Sequence, residues 1–271
     1  MLAALASWLD ARAQGGQWLL RIEDVDSERC KPEHAATIRA QLQALGLAWD
    51  AELPAQSQRL DRYAEQLESW LSSDRVYACR CNRRVLAPYR GAGETCYPGL
   101  CRGLGLPATG HALRFALPRP ARRDFVDRLL GPQSQDVATQ CGDFVLRRRT
   151  GDYSYQYAVC MDDAEQGITD VVRGQDLLPS TGRQLLLLEA LGAPPPRYLH
   201  HPLIHDADGR KLSKATGADA AELTDPLASL RQAAQALGLP PQVGAQHSVA
   251  ALLEAGVRAW PDCLQAASRK G

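Results

Sequence analysis

Gln17-Trp18-Leu19-Leu20-Arg21-Ile22-Glu23-Asp24-Val25-Asp26 is the stretch from which the fold is read. Its apolar run from Gln17 to Ile22 has the composition of a strand, and three carboxylates, Glu23, Asp24 and Asp26, follow where that strand would end. Pro32 then opens a stretch with helical spacing through Leu45, at the first-turn position where the missing N–H of proline costs nothing. Helical spacing also covers Met1 to about Ala13 and residues 61–71. A strand set among helices marks an α/β layer architecture. In open α/β sheets ligands sit at the carboxyl ends of strands, so polar chemistry is expected at the acidic cluster. A carboxylate there can grip an ammonium group such as the α-amine of an amino acid. The competing reading is a solvated acidic turn that caps the following helix.

From Tyr77 to about Gly142 the character changes: Cys, Gly, Pro and Arg dominate, with strands expected at 112–117 and 125–130. Alternation resumes with a strand at 143–149, a helix near 153–161, a strand at 169–173, a helix at 181–191 and a strand near 198–204. After Glu222 short helices are expected, broken at Pro240-Pro241 and at Pro261. The organisation read from this is a split α/β domain (1–76 and 143–222), an insertion (77–142) and a short helical C-terminal region (223–271).

The 271 residues leave room for one large domain or two modest ones, and 45% hydrophobic with 23% charged content is that of a soluble globular protein. The longest apolar stretches, such as 185–188, are far too short for a bilayer, so no membrane partner is expected. The opening Met1-Leu2-Ala3-Ala4-Leu5 superficially suggests a signal peptide. It has no basic n-region, and Asp10 and Arg12 interrupt it with amphipathic spacing, so it reads as a core helix. A net charge of +0 gives no global electrostatic case for nucleic acid, and any RNA contact rests on local arginines.

Only four of the 31 Lys+Arg residues are lysines, and two of them frame Lys211-Leu212-Ser213-Lys214. A mobile ammonium point charge suits following a phosphate through a reaction, where the planar fork of arginine does not. The run follows the turn-forming Asp206-Ala207-Asp208-Gly209-Arg210, which puts it on a loop. An ordinary solvated loop is the alternative.

Three further clusters stand out. Tyr153, Tyr155 and Tyr157 cannot all share one helical face, and Asp162-Asp163 follow them. Arg173 closes a strand beside Gly174, which suits carboxylate recognition, against a surface ion pair as the alternative. Of the eight cysteines, Cys79, Cys81, Cys96 and Cys101 lie close together and the rest are scattered, as in a metal site of a reducing compartment, here the cytoplasm. Two close pairs separated by a loop is how structural zinc is held; an all-cysteine set and free thiols both stay open, and His111 lies further along. His200, His201 and His205 read as core or surface histidines, since no carboxylate stands at a suitable helical offset.

Taken in order, these segments resemble the class I aminoacyl-tRNA synthetases of the glutamyl type. Arg21-Ile22-Glu23-Asp24-Val25-Asp26 is similar to the family's R-x-E-D-T/I-D, Val172-Arg173-Gly174-Gln175-Asp176-Leu177 to its V-R-G-x-D-L, and Lys211-Leu212-Ser213-Lys214 to its K-M-S-K-S loop. The resemblance runs from Met1 to about Leu223 and is closest to a short form without a C-terminal anticodon-binding domain. It implies a Rossmann-like catalytic domain with a zinc-containing insertion, and a ligase that activates L-glutamate with ATP and Mg2+ without tRNA. It further implies transfer of glutamate to queuosine at the wobble position of tRNA(Asp), by a monomer. Carried over by position, Glu23 holds the glutamate α-amine, and Tyr155 and Arg173 complete the pocket. Lys214, with Lys211 nearby, stabilises the ATP triphosphate. Cys79, Cys81, Tyr97 and Cys101 hold structural Zn2+, a choice of Tyr97 over Cys96 that rests on the resemblance alone.

Family members begin with a strand and an R-F-A-P-S-P-x-G-x-L-H-x-G segment that this sequence does not contain; it opens inside the helix that follows. That segment supplies the first central strand and the histidine signature that binds ATP, and the expectation is that the true start lies upstream. The alternatives are a truncated, catalytically impaired zinc-containing tRNA-binding remnant and a fragment of an ordinary glutamyl-tRNA synthetase. If Lys214 carries the electrostatic role, Lys214→Ala lowers glutamyl-adenylate formation by on the order of 10²-fold. An unchanged rate of ATP–pyrophosphate exchange contradicts the role.

Overall fold

The computed structural model describes residues 1–26, 29–89, 96–204 and 225–268. In chain order its main elements are α1 (Leu2–Ala13), β1 (Leu19–Leu20), α2 (Pro32–Ala44), β2 (Ala51–Glu52), α3 (Leu60–Ser72) and β3 (Val76–Cys79). Next come β4 (Ala112–Phe115), β5 (Arg122–Asp127), β6 (Gly131–Asp136), β7 (Val145–Arg147), α4 (Tyr155–Glu165) and β8 (Asp170–Gly174). The chain continues through α5 (Thr181–Leu191), β9 (Arg197–His201), α6 (Pro226–Ala236) and α7 (Val249–Ser268). No described helix is long and apolar enough to cross a membrane.

Three sheets result. The largest has the order β6-β5-β9-β8, with β5, β9 and β8 parallel and β6 antiparallel at one edge. Its register sets Val171 beside Tyr198 and Arg173 beside His200. A three-stranded antiparallel sheet, β3-β4-β7, carries the cysteine-rich segment, and β1 pairs in parallel with β2. The β5–β6 hairpin lies within the expected 77–142 insertion yet joins β9, whereas β7, beyond it, joins β4. Hydrogen bonding thus crosses both expected boundaries. Among the described residues β1 pairs only with β2 and β8 only with β9, so each turns an edge toward the same cleft. The ladder expected at 17–22 shrinks to Leu19–Leu20 for that reason, since a strand with one short partner makes few ladder bonds.

Helix faces explain the packing. On α3, Tyr63, Leu67 and Trp70 repeat at one helical face and are buried; on α1 the same holds for Leu5, Ala6 and Leu9. The α1 stripe packs on α7, where a Cβ on Gly256 would stand 2.9 Å from Leu9 Cδ2, so glycine lets the two helices approach. The break expected at Pro261 does not occur: α7 runs through it for 20 residues. Proline removes one backbone bond there, and burial of Leu252, Leu253 and Trp260 on the same helix outweighs that loss.

One buried carboxylate fastens these layers. Asp10, 1% exposed, accepts Arg128 Nη1 at 2.7 Å and Nη2 at 2.8 Å, Trp260 Nε1 at 2.9 Å and Gln14 Nε2 at 2.9 Å. It joins α1 to the turn after β5 and to α7. Asp10→Ala leaves the Trp260 indole N–H without its acceptor and takes from Arg128 its bonds to Asp10, the longer contact to Asp170 at 3.3 Å remaining, and is expected to cost about 3–5 kcal/mol in urea unfolding. A loss under about 1 kcal/mol, the scale of an exposed ion pair, refutes that role.

Candidate active site and metal centre

Between β1 and β8 opens a cleft of about 670 Å3, lined among others by Arg21, Glu23, Tyr155, Asp163, Val172 and Arg173. Glu23 and Arg173 follow or end parallel strands, and Tyr155 starts α4, where the Ser154 hydroxyl accepts the backbone N–H of Tyr157. The three tyrosines separate as their spacing requires. Tyr157 is fully buried, Tyr153 stacks edge-on against Tyr63 at 5.3 Å, and Tyr155 turns to the cleft.

Arg21 spans one wall of the cleft. Its Nη2 donates to Asp163 Oδ1 at 2.7 Å and to Glu23 Oε1 at 3.1 Å, and its Nη1 to Gln166 Oε1 at 2.8 Å. Asp162 faces the opposite way, into the core, where it accepts Gln56 Nε2 at 2.8 Å, Arg59 Nε at 2.6 Å and the Tyr63 hydroxyl at 2.9 Å. Asp24 is taken by Ser57, from its N–H at 2.8 Å and its hydroxyl at 2.7 Å. Of the three carboxylates after β1, only Glu23 lines the cleft.

Withdrawal from water raises the Glu23 and Asp163 carboxyls above their ordinary range, and Arg21 opposes that in both. Tyr155 is pushed up to about 12, first by burial and then by the charge of Glu23, so it meets a ligand as a neutral phenol. The cleft therefore presents carboxylates on one side and the guanidinium of Arg173 on the other. That arrangement suits a zwitterion with a further carboxylate.

The second site gathers Cys79, Cys81 and Cys101, whose sulfurs lie within 4.8 Å of one another. Cys81 Sγ and Cys101 Sγ are 3.5 Å apart, close to the roughly 3.8 Å that two thiolates on one tetrahedral zinc would show. The Tyr97 hydroxyl completes the set, 3.4 Å from Cys79 Sγ and 3.8 Å from Cys81 Sγ. Cys96, adjacent in sequence, points elsewhere and donates to the Ala138 carbonyl at 3.2 Å, so the all-cysteine set does not form. The ring of Tyr97 lies 3.8 Å from the guanidinium carbon of Arg114. Burial, with the hydrogen bonds to Cys79 and Cys101, pushes the Tyr97 hydroxyl well above the ordinary phenol range, so it stays a neutral phenol unless a metal displaces its proton. Burial raises the Cys101 thiol, and hydrogen bonds from Tyr97 and the Arg80 backbone outweigh it and bring it down to about 7, while burial and the Cys101 contact push the Cys81 thiol up to about 11. Three sulfurs and a phenol oxygen gathered this closely have the donor chemistry of a structural metal site.

Residues 2–234 match the family described as tRNA synthetases class I (E and Q), catalytic domain. The chain belongs to that family. A glutamyl-Q tRNA(Asp) synthetase of Bordetella bronchiseptica is 49% identical over 269 residues, covering 96% of this chain and 83% of that protein. One from Verminephrobacter eiseniae is 47% identical, covering 96% and 91%. Among solved structures, a glutamate tRNA ligase of Elizabethkingia meningosepticum in complex with its amino acid superposes with a TM-score of 0.76 at 27% identity, over 93% of this chain. This class I synthetase domain spans 60% of that ligase. It is accordingly a ligase, and its class uses ATP.

The synthetase domain brings Glu23, Tyr155 and Arg173 to one cleft, and Cys79, Cys81, Tyr97 and Cys101 to another centre. Lys211, Lys214 and His205 lie outside the described residues. Sequence reasoning read His200 as a core or surface histidine, and it is fully buried; it passed over Gln166 beside Arg21, and Asp127, Thr181 and Gln184 behind Arg173. Nothing in their spacing marks them, because they meet only through strand register. Cys81→Ser is expected to lower bound metal well below one ion per chain, read by elemental analysis. Full occupancy in that variant excludes Cys81 as a ligand.

Proposed function

We propose that this chain activates glutamate with ATP and Mg2+ in the absence of tRNA, then transfers it to queuosine at the wobble position of tRNA(Asp), in the cytoplasm. The observation that carries this reading is the sharing of one cleft by Glu23, Tyr155 and Arg173, with opposite charges on opposite walls. Glu23 takes the α-amine, Arg173 takes a carboxylate, and the Tyr155 phenol donates or accepts beside them. Lys214, with Lys211, neutralises the triphosphate as charge develops on it, a purely electrostatic contribution. The names of relatives at 49% and 47% identity support the choice of acceptor. Structural Zn2+ is held by Cys79, Cys81, Cys101 and the Tyr97 phenolate, a reading supported by the convergence of those four atoms. Its role is to fix the knuckle, with no part in the chemistry.

The test is glutamate-dependent ATP–pyrophosphate exchange without tRNA, followed by transfer of labelled glutamate to tRNA(Asp) with and without queuosine. Exchange with glutamate but not with aspartate, and label only on the queuosine-containing RNA, is the expected result. Label on the 3′ end of tRNA(Glu) favours an ordinary glutamyl-tRNA synthetase. Absence of exchange overturns the assignment.

A further inference from the structure

Arg173 reaches the cleft from β8, yet most of its hydrogen bonding faces the protein interior. Its Nε donates to His200 Nε2 at 3.0 Å, its Nη1 to Gln184 Oε1 at 2.6 Å and its Nη2 to Thr181 Oγ1 at 2.9 Å. The Tyr198 ring lies 5.1 Å from the guanidinium carbon. His200 and Thr181 are 0% exposed, and Gln184 is 2% exposed. A guanidinium has five N–H donors, so three are spent on this wall and two are left for the cleft. Among the described residues no carboxylate pairs with Arg173. Every group that grips it is neutral.

His200 can accept from Arg173 only in one form. Arginine has no acceptor, so Nε2 must be bare and the ring proton must sit on Nδ1. Nδ1 meets Asp127 Oδ2 at 2.6 Å, and both side chains are fully buried. The other oxygen of Asp127 is fixed in turn by the backbone N–H groups of Leu129 at 3.0 Å and Leu130 at 2.9 Å, in the turn after β5. Burial would raise the Asp127 carboxyl; the hydrogen bonds from His200 and from this turn outweigh it and hold it low. The line from turn to carboxylate to imidazole to guanidinium is unbroken, and strand register sets it: Arg173 lies beside His200, and Asp127 beside Tyr198.

We propose that Asp127 and His200 are positioning residues of the amino-acid pocket: they fix the plane of the Arg173 guanidinium, and with it the selection of a substrate carboxylate, without touching the substrate. This inference rests on the pocket reading above. A fork turned out of plane loses the paired geometry on which carboxylate recognition depends. The hydrogen-bond partners of Arg173 are neutral, and Asp127 stands behind the imidazole. Asp163 acts on it only across the cleft, without a salt bridge among the described residues, which leaves the remaining N–H groups of Arg173 for the ligand.

The experiment compares His200→Phe with His200→Gln in glutamate-dependent ATP–pyrophosphate exchange, alongside thermal unfolding. A Gln at this position can offer Oε1 to Arg173 Nε, and a Phe offers nothing. His200→Phe is expected to raise the KM for glutamate about 10-fold or more, with kcat and the KM for ATP within about threefold, as misorientation of one binding group predicts. His200→Gln recovers most of that loss, and Asp127→Asn, which keeps the acceptor oxygen without its charge, falls between. An unchanged KM for glutamate in His200→Phe overturns the proposal. So does a parallel fall of kcat and melting temperature with a rise of both KM values in the Phe and Gln variants alike, which marks a purely structural pair. Wild-type protein that neither exchanges nor binds glutamate by calorimetry overturns the pocket reading itself, and this inference with it.

Discussion

Arg21 is the strut on which the cleft depends. It leaves the end of β1 and closes on Asp163, Gln166 and Glu23, so the strand end and α4 cannot separate without exposing a buried cation and anion together. Behind it the neighbouring Asp162 is neutralised by Arg59 and hydrogen-bonded by Gln56 and Tyr63. Two adjacent buried carboxylates each carry a desolvation cost of several kcal/mol unless paired, so their partners dictate where the surrounding segments stop.

The two arginines of the cleft illustrate opposite uses of one side chain. Arg21 is spent: its charge is answered by Asp163 and Glu23. Arg173 is held by an imidazole, an amide and a hydroxyl, none of which answers its charge. Among the described residues no carboxylate hydrogen-bonds to it, and Asp163 acts on it only at longer range, so a ligand carboxylate that bonds it directly relieves part of the cost of burying it. The protein thus commits one guanidinium to structure, and the other is the one proposed for recognition.

The cysteine cluster that could hold a metal is shaped by backbone as much as by its side chains. Tyr97 N donates to the Cys141 carbonyl at 2.8 Å, and Tyr97 bridges to Gly142. Gly142 has φ of 63°, and a Cβ there would lie 2.0 Å from the Tyr97 carbonyl oxygen. Only glycine permits that crossing. Asp143, next along, accepts the Tyr77 hydroxyl at 2.6 Å and the Leu117 N–H at 2.9 Å, which locks the sheet beneath the knuckle. Tyr97 faces the three sulfurs, and Cys96 does not, because this backbone contact sets which side chain turns inward.

Local signals were legible in the sequence wherever the physics is local. Proline at a helix start, the apolar stripe of α3 and the run after β1 each act over one or two turns, and α2, α3 and α5 stand within a residue or two of expectation. The same held for residues that a ligand needs by type: a carboxylate after a strand, an arginine at a strand end, clustered thiols. The misplaced features were non-local. Pro261 stays helical because α1 packs on α7, and the β5–β6 hairpin joins β9 across the chain. By itself the sequence determined which side chains were chemically capable of binding an amino acid and a metal. Tertiary structure alone decided that His200 and Asp127 stand behind Arg173, because strand pairing unites residues that no sequence spacing relates.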